Sequence, residues 1–478
     1  MARIAAFDLG TTALKCVVLD EKQNISFSGK ENISTIHSDG FIEQDPHEWW
    51  KAFLSLTNRF DTSDIDYIIF SGQMQDLYFL DSSGEPIGNA VLYDDQRGAE
   101  FVDELPSYVS ELTTISMNGT IPIAKMLWFK KNRPDVLEKA EHLLISAKDY
   151  LVYKLTGRCV SDVTNMSTSG MMDILKKEYI PLSGLVESRL LPTLMYSDEV
   201  AGLVSDKASE ATGFRRNVEV FVGSGDAGAT TLASGVTRAG EFSVNLGTSG
   251  WVASLSDRPM DGVFNLAAIN RGLYINVIPV LNAANVHNWI SRVICPEGER
   301  NRYDVLHDLL SSDKHGNENL LCMPYLVGER FPVADDKVRG VYVGLDNSTT
   351  LSDLARSALE GVAFSLRMGM DNHRIKPSSV SLIGGGASES VWNQIFADIF
   401  NAPVVVFEDS EALPSIALSS VVLYGKKLIS SYSAFISSIL AGMRSETYYP
   451  NDERVRHYEK LYERFKLIYP SVRNIFRS

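Results

Sequence analysis

Apolar and polar positions follow two rhythms along the chain. Short apolar runs rich in β-branched and aromatic residues read as strands: IAAF before Asp8, LKCVVLD after it, DYIIF at 66–70 and VEVFVG at 218–223. Residues 46–60 and 137–156 instead space their apolar positions as helices do. The second half keeps this style. Strand-like EFSV and WVASL flank residue 247, a long helical pattern covers about 351–372, and then come the strand VSLIGGG, a helix through WNQIFADIFN and the strand PVVVF. An amphipathic helix runs from Asn451 to about Ile468. Strands interleaved with helices predict an α/β fold, mixed rather than purely parallel. No long Pro- or Gly-rich linker interrupts it, so the best boundary is a hinge near Gly235–Gly240, giving domains of residues 1–238 and 239–478.

One phrase occurs twice, about half a chain length apart: DLGTT at 8–12 and NLGTSG at 245–250. Each copy has a strand entering a turn of Gly and small hydroxyl residues and a second strand leaving it, which suggests two related halves. Such a turn lets backbone N–H groups approach phosphate oxygens, while hydroxyls add donors where lysine is scarce. The plainer reading is two ordinary β-turns. The candidate cradle residues are Gly10, Thr11 and Thr12 in the first copy and Gly247, Thr248 and Ser249 in the second. Lys15 is the cation nearby and reads equally well as a solvated surface lysine. A carboxylate beside a phosphate loop repels the anion unless a divalent cation lies between them, so Asp8 implies Mg²⁺.

Composition narrows the classes. The 478 residues are 45% hydrophobic and 10% aromatic, enough for large cores, and acidic residues outnumber basic ones 60 to 45 for a net charge of −15. Without a basic run, non-specific nucleic-acid binding is not expected, and an anionic ligand must be met locally. The four cysteines are scattered with no CxxC pair, so no disulfide framework or zinc ribbon is indicated. The opening MARIAAFDLG is too short before Asp8 for a signal peptide, and no run approaches a membrane span; a cytoplasmic protein is expected.

Two further glycine-rich segments carry chemistry. In VFVGSGDAGA (220–229), Gly223, Gly225 and Gly228 satisfy a dinucleotide fingerprint literally, yet Asp226 would oppose a pyrophosphate there. Asp226 reads instead as a general base at a helix start beside a sugar hydroxyl, or as a helix N-cap. In SLIGGGASESVWNQIFAD (381–398), the glycines admit an adenosine against bare backbone, or only close helix-to-strand packing. A GxxxxGK[ST] loop, a GxSxG elbow and an HExxH pair are all missing, and His287 reads as a core or rim residue.

Together these segments resemble the FGGY carbohydrate kinases of the actin/hexokinase-like superfamily over nearly the whole length. DLGTT and NLGTSG are similar to that family's two phosphate loops, GSGDAGA to its base-bearing loop and IGGGASES to its adenosine motif. Further matches are FIEQDPHEWW (41–50), SGQM (71–74), YDDQR (93–97), AKDYLVYKLTG (147–157) and LVGERFPVADDKVRG (326–340), closest in pattern to xylulokinase-like and ribulokinase-like members. The resemblance implies two ribonuclease H-like domains with a nucleotide cleft between them. It implies Asp226 as base, Asp8 and Asp226 near Mg²⁺, and Thr11, Thr12, Gly247 and Thr248 on the ATP phosphates. It also implies Gly385, Gly386 and Ala387 beside the adenosine, and Gln73, Met74, Gln75, Asp95 and Arg97 on the sugar side. The last group also reads as buried strand residues and a surface ion pair. A homodimer enters only through the resemblance.

Departures bear on the sugar. Xylulokinases usually have Met-His-Gly where this chain has Met74, Gln75 and Asp76, and an aromatic-Asn-Asp where it has Tyr93, Asp94 and Asp95, so the donor and acceptor pattern differs. Ala13 stands where the family often has Ser, and the glycerol-kinase Gln-Arg-Glu-Thr arrangement is missing. The expected activity is ATP-dependent phosphorylation of a terminal hydroxyl on a ketose or polyol, foremost a pentulose such as xylulose or ribulose, with another polyol, a sugar acid or a signalling furanone as alternatives. Rivals from other classes are an actin-like nucleotide switch, a sugar-responsive repressor, for which Asp8 leaves no room before it, and a nicotinamide oxidoreductase resting on GSGDAG.

Overall fold

The computed structural model describes residues 2–109, 118–182, 184–295, 301–312, 317–372, 376–408 and 412–476. They form two compact units. One comprises Met1–Ala233, Asp257–Ile275 and Asp409–Ala441; the other comprises Ser234–Ser256, Asn276–Glu408 and Gly442–Ser478. The first crossing lies beside the expected cut at 238/239, and the segments 257–275 and 409–441 return beyond it to the first unit.

In the first unit β1 (Arg3–Leu9), β2 (Ala13–Asp20) and β3 (Ile25–Asn32) form an antiparallel meander, followed by α1 (Pro46–Thr57) and β4 (Tyr67–Gly72). After α2 (Ala147–Thr156) come β5 (Val200–Leu203) and β6 (Glu219–Phe221), completing a sheet of order β5-β6-β4-β1-β2-β3. β4 lies parallel to both β1 and β6. The uninterrupted apolar runs of β1 and β4 follow from burial of both sheet faces, as expected for central parallel strands. Asp45 caps α1 by accepting from the His47 amide, and Pro46 opens the helix where a missing N–H costs nothing. Its apolar face places Trp49 and Phe53 against Phe7, Phe70, Tyr78 and Tyr150. The helix Leu413–Gly425, buried nearly all round, packs on β1, β2 and β4.

The helical rhythm at 137–156 is not one helix. Pro134–Lys139 is helical, His142–Leu144 is a strand paired antiparallel with Tyr78–Leu80, and only then does α2 begin. The short apolar run HLL fits either period, and pairing with a distant strand decides it.

A short helix, α3 (Asp226–Ala233), precedes the second unit. There, β7 (Glu241–Leu246) and β8 (Gly250–Ser256) form the second hairpin, followed by α4 (Ala284–Ile294), α5 (Arg302–Ser312) and α6 (Leu351–Asn372). Then come β9 (Ser379–Ile383), α7 (Ser390–Phe400), β10 (Val404–Phe407) and β11 (Ser445–Tyr448), with β8-β7-β9-β10-β11 side by side. β9 is parallel to β7 just as β4 is parallel to β1, so each repeated phrase links an antiparallel hairpin whose first strand also pairs with a parallel strand. The apolar face of α6, including Leu359, Val362 and Phe364, is fully buried, and the amphipathic helix Asp452–Phe465 sets Tyr458, Tyr462 and Phe465 against Phe364.

Candidate functional site

Both loops turn their carbonyls toward the protein. In the first, the Ala13 carbonyl accepts from the Gly10 amide at 3.1 Å, the Thr12 carbonyl from Ile33 at 2.9 Å and the Thr11 carbonyl from the Gln44 side chain at 2.7 Å. In the second, the carbonyls of Gly247 and Thr248 accept from the Ala284 and Asn285 amides at the start of α4, at 2.9 and 3.1 Å. Oxygens that would repel a phosphate are thereby held away, which suits an anion cradle better than an ordinary turn. Thr12, Thr248 and Ser249 are exposed, and Gly10, Thr11 and Gly247 partly so. Lys15 sits opposite Asp8 in the β1/β2 register.

Asp226 opens α3 at the end of a glycine-shaped turn. Gly223 has φ +73°, and a Cβ there would lie 1.9 Å from the Phe70 carbonyl oxygen. A Cβ on Gly225 would lie 2.5 Å from Met74 Sδ, and one on Gly228 2.3 Å from Ser224 Oγ. The spacing that imitates a dinucleotide fingerprint is therefore accounted for by close packing around the turn. Asp226 is partly buried, and burial first, then the negative charge of Asp8, pushes its carboxyl up to about 7; the Ala227 amide pulls the other way and Asp162 adds to the rise. Asp8 is also raised, chiefly by burial, against the Ser71 hydroxyl that donates to it at 2.6 Å and the charge of Lys15. Two acids thus face each other in a poorly solvated place, the arrangement a divalent cation relieves. Among the described residues no cluster of three or more His, Cys, Asp or Glu side chains is placed to hold a metal by itself.

The sugar-side candidates divide. Gln73 is buried and donates to Gln44 Oε1 at 3.0 Å, so it braces the residue that holds the Thr11 carbonyl. Met74 packs on Gly225 beneath the Asp226 turn. Gln75 is partly exposed with φ +65°; Lys125 Nζ grips its carbonyl at 2.9 Å and its side-chain amide reaches the Thr168 carbonyl at 3.3 Å. Asp95 and Arg97 form no surface pair. Arg97 donates bidentately to Asp95 at 2.9 and 2.8 Å and to Glu43 at 2.7 Å, with its guanidinium over Phe41 and Trp128, and Asp95 also accepts from Ile42. Their donors and acceptors are committed to one another, and what they position is the turn carrying exposed Tyr93 and Asp94. Tyr93 meets the Thr11 hydroxyl and the field of Asp226. Sequence reasoning left Tyr93 out, although its motif was in view.

In the second unit a cavity of 670 Å³ is lined by Gly247, Thr248, Asn285, His287, Asn288, Tyr303, His307, Gly385, Gly386, Ser388 and Glu389, among others. The three glycines differ in their reasons. A Cβ on Gly384, at φ +91°, would meet the Leu246 backbone at 2.9 Å, and one on Gly386 would meet Trp392 at 3.0 Å, whereas one on Gly385 would meet nothing within 4 Å. Packing demands the first and third; the second leaves the cavity open. Ala387 is buried behind the loop, its carbonyl held by Asn393 at 2.8 Å. His287 forms the rim, its ring stacked on Tyr303 and Trp392 with centroids 5.3 and 5.6 Å apart. His307 meets Glu389 at 2.9 Å. No sequence motif had singled out Asn285, Asn288, Tyr303 or His307, because helices α4 and α5, far from the glycines in sequence, deliver them.

Comparison with known proteins agrees with this layout. Residues 3–233 match the N-terminal domain of the FGGY family of carbohydrate kinases and residues 242–414 its C-terminal domain. A xylulose kinase of Staphylococcus xylosus is 28% identical over 491 residues, spanning 98% of this chain and 100% of that protein. Among solved structures, a ligand-bound xylulose kinase from Lactobacillus acidophilus superposes with a TM-score of 0.90 at 25% identity, covering 100% of this chain and 99% of that one. A gluconate kinase from the same organism gives 0.89 at 25% identity, covering 98% of each. Matched along both halves, this chain belongs to the FGGY family of carbohydrate kinases, ATP-dependent sugar phosphotransferases.

Proposed function

We propose that the protein transfers the γ-phosphate of ATP to a terminal hydroxyl of a pentulose such as xylulose or ribulose, with Asp226 as general base. The observation that carries this reading is an acid raised to about 7, at the start of α3, facing a second acid beside a loop fit for phosphate. A base of that pKa is half-ionised at neutral pH and holds a proton well enough to take one from an alcohol. Gln75 and Tyr93 would orient the sugar and Thr11 and Thr12 would cradle phosphate oxygens; in the second unit Gly247, Thr248 and Ser249 form a loop of the same kind. The second unit's cavity would take the adenosine, with Gly385 under its plane and Asn285 and Asn288 offering amide groups.

The residues fit Mg²⁺: Asp8 and Asp226 would hold it, and a cation that keeps much of its water and takes its other ligands from phosphates needs few carboxylates. When bound, it supplies neutralisation of charge on the transferring phosphoryl group. The gluconate kinase relative makes an aldonate the second reading. Against it, Lys125 and Arg97 are buried and already engaged, Lys125 by the Gln75 and Leu92 carbonyls and Arg97 by Asp95 and Glu43. Among the described residues no helix is long and apolar enough to cross a membrane. Four unpaired cysteines suit a reducing compartment, so we place the enzyme in the cytoplasm.

The deciding experiment follows ADP release by the purified protein across ketopentoses, polyols and aldonates. The expected result is turnover on a pentulose that falls about 10²–10⁴-fold in Asp226→Ala with ADP affinity kept. ATP binding with no sugar-dependent turnover would favour a nucleotide switch, and selective turnover of gluconate would favour the aldonate reading.

A further inference from the structure

The turn that aims Asp226 is held from behind by a buried cluster of charges. Lys148, in the first turn of α2, has no solvent exposure, and its ammonium lies 2.6 Å from Asp149 Oδ1, 2.9 Å from Asp162 Oδ2 and 3.2 Å from the Val222 carbonyl. The ammonium donates to Asp149 and to the Val222 carbonyl, and its contact with Asp162 Oδ2 is an ion pair. Asp162, equally buried, uses Oδ1 to accept from the Asn165 amide at 2.9 Å and from the Gly225 amide at 3.3 Å. Asp149 is kept in place by the Ser161 hydroxyl at 2.7 Å. Val222 and Gly225 are the two ends of the turn that leads into Asp226, and Gly223 between them adopts its positive φ against the Phe70 carbonyl. The same lysine packs under β4, since a Cβ on Gly72 would lie 3.0 Å from Lys148 Cβ.

We infer that Lys148 and Asp162 act as a two-handed clamp that fixes the 222–225 turn, making both of them positioning residues for the Asp226 carboxylate. This rests on the reading of Asp226 as base. An ion pair sealed from water contributes little net stability compared with apolar residues of similar volume, because taking both charges out of water offsets their attraction. Its use here is geometric. One hand takes a carbonyl and the other an amide of a single short turn, so the peptide between them cannot rotate without breaking a charge-assisted hydrogen bond. A glycine-rich turn otherwise has the conformational freedom to wander, and misplacement by about 1 Å of a group that must meet a reacting hydroxyl lowers turnover about 10²-fold.

The test compares Lys148→Met, Asp162→Ala and Asp162→Asn in the full chain, reading kcat, both KM values and amide hydrogen exchange. Asn keeps an acceptor for the Gly225 amide, whereas Ala does not. The expected result is a kcat reduced about 10²-fold in Lys148→Met and Asp162→Ala with the KM for ATP changed by less than about twofold, and most of the activity restored in Asp162→Asn. Exchange should quicken at residues 223–228 while β1 and β4 stay protected. A merely structural pair would lower melting temperature and leave kcat per folded molecule, and exchange in the turn, as in the wild type; that result overturns the clamp. Equal damage in Asp162→Asn and Asp162→Ala, with no local change of exchange, also overturns it. Asp226→Ala measured alongside separates the two ideas: full turnover there removes the base, and exchange at 223–228 still judges the clamp.

Discussion

Burial and the charge of Asp8 act on Asp226 in the same direction, so its pH effects have a definite sign. With its carboxyl raised from 3.8 to about 7, the folded protein retains a proton that the unfolded chain has already released, and stability falls as pH rises between those values. Asp226→Asn removes that cost: calorimetry should find the variant melting higher than the wild type at pH 8 and level with it at pH 4. Turnover runs the other way, because only the ionised base accepts a proton, so kcat/KM of the free enzyme should climb through about pH 7. Gln75 offers a second residue-scale test. Gln75→Ala should raise the sugar KM about tenfold and leave the KM for ATP alone, as loss of one oriented amide does. Gln75→Gly should lose the same recognition yet unfold at higher denaturant than Gln75→Ala, since φ +65° burdens alanine but not glycine.

At the scale of elements, the glycine turns separate backbone necessity from ligand space. Gly223→Ala would force a Cβ to within 1.9 Å of the Phe70 oxygen at the seam of β4 and β6. Urea unfolding should show a loss of more than about 4 kcal/mol, in the range reserved for strain at a special backbone position. Gly385→Ala meets nothing within 4 Å, so stability should hold within about 0.5 kcal/mol while the calorimetric affinity for ADP weakens, because the added methyl stands in the cavity. Equal destabilisation by both substitutions would mean that Gly385 serves packing alone.

For the whole molecule, each compact unit carries its own half of the proposed chemistry: acids, Gln75 and Tyr93 in the first, the nucleotide cavity in the second. Footprinting by hydrogen exchange should therefore split by ligand. ADP should slow exchange at 246–249 and 384–389, and the preferred sugar should slow it around 73–76 and 93–97. A sugar footprint confined to the second unit would displace Gln75 and Tyr93 from their proposed roles.

The duplicated DLGTT and NLGTSG phrases, the Asp226 loop and the IGGGASES segment were legible in the chain because each depends on local backbone chemistry that only Gly and small hydroxyl residues satisfy. The α/β class and the long helix at 351–372 were legible for a related reason: unbroken periodicity over a sufficient length fixes an element without help from its neighbours. Other features depended on partners remote in sequence. The strand His142–Leu144 exists because Tyr78–Leu80 pairs with it, and segment 409–441 joins the first unit because a helix apolar on every side needs a sheet face to cover. Arg97 looked available until Phe41, Glu43 and Trp128 closed around it, and no motif had singled out Lys148, which Asp162 and Val222 meet in the interior. Sequence by itself determined which backbone turns were obtainable and which carboxylates stood beside them; tertiary structure decided which charges would be desolvated, and desolvation is what raises the carboxyl of the proposed base, Asp226, far above that of an ordinary aspartate.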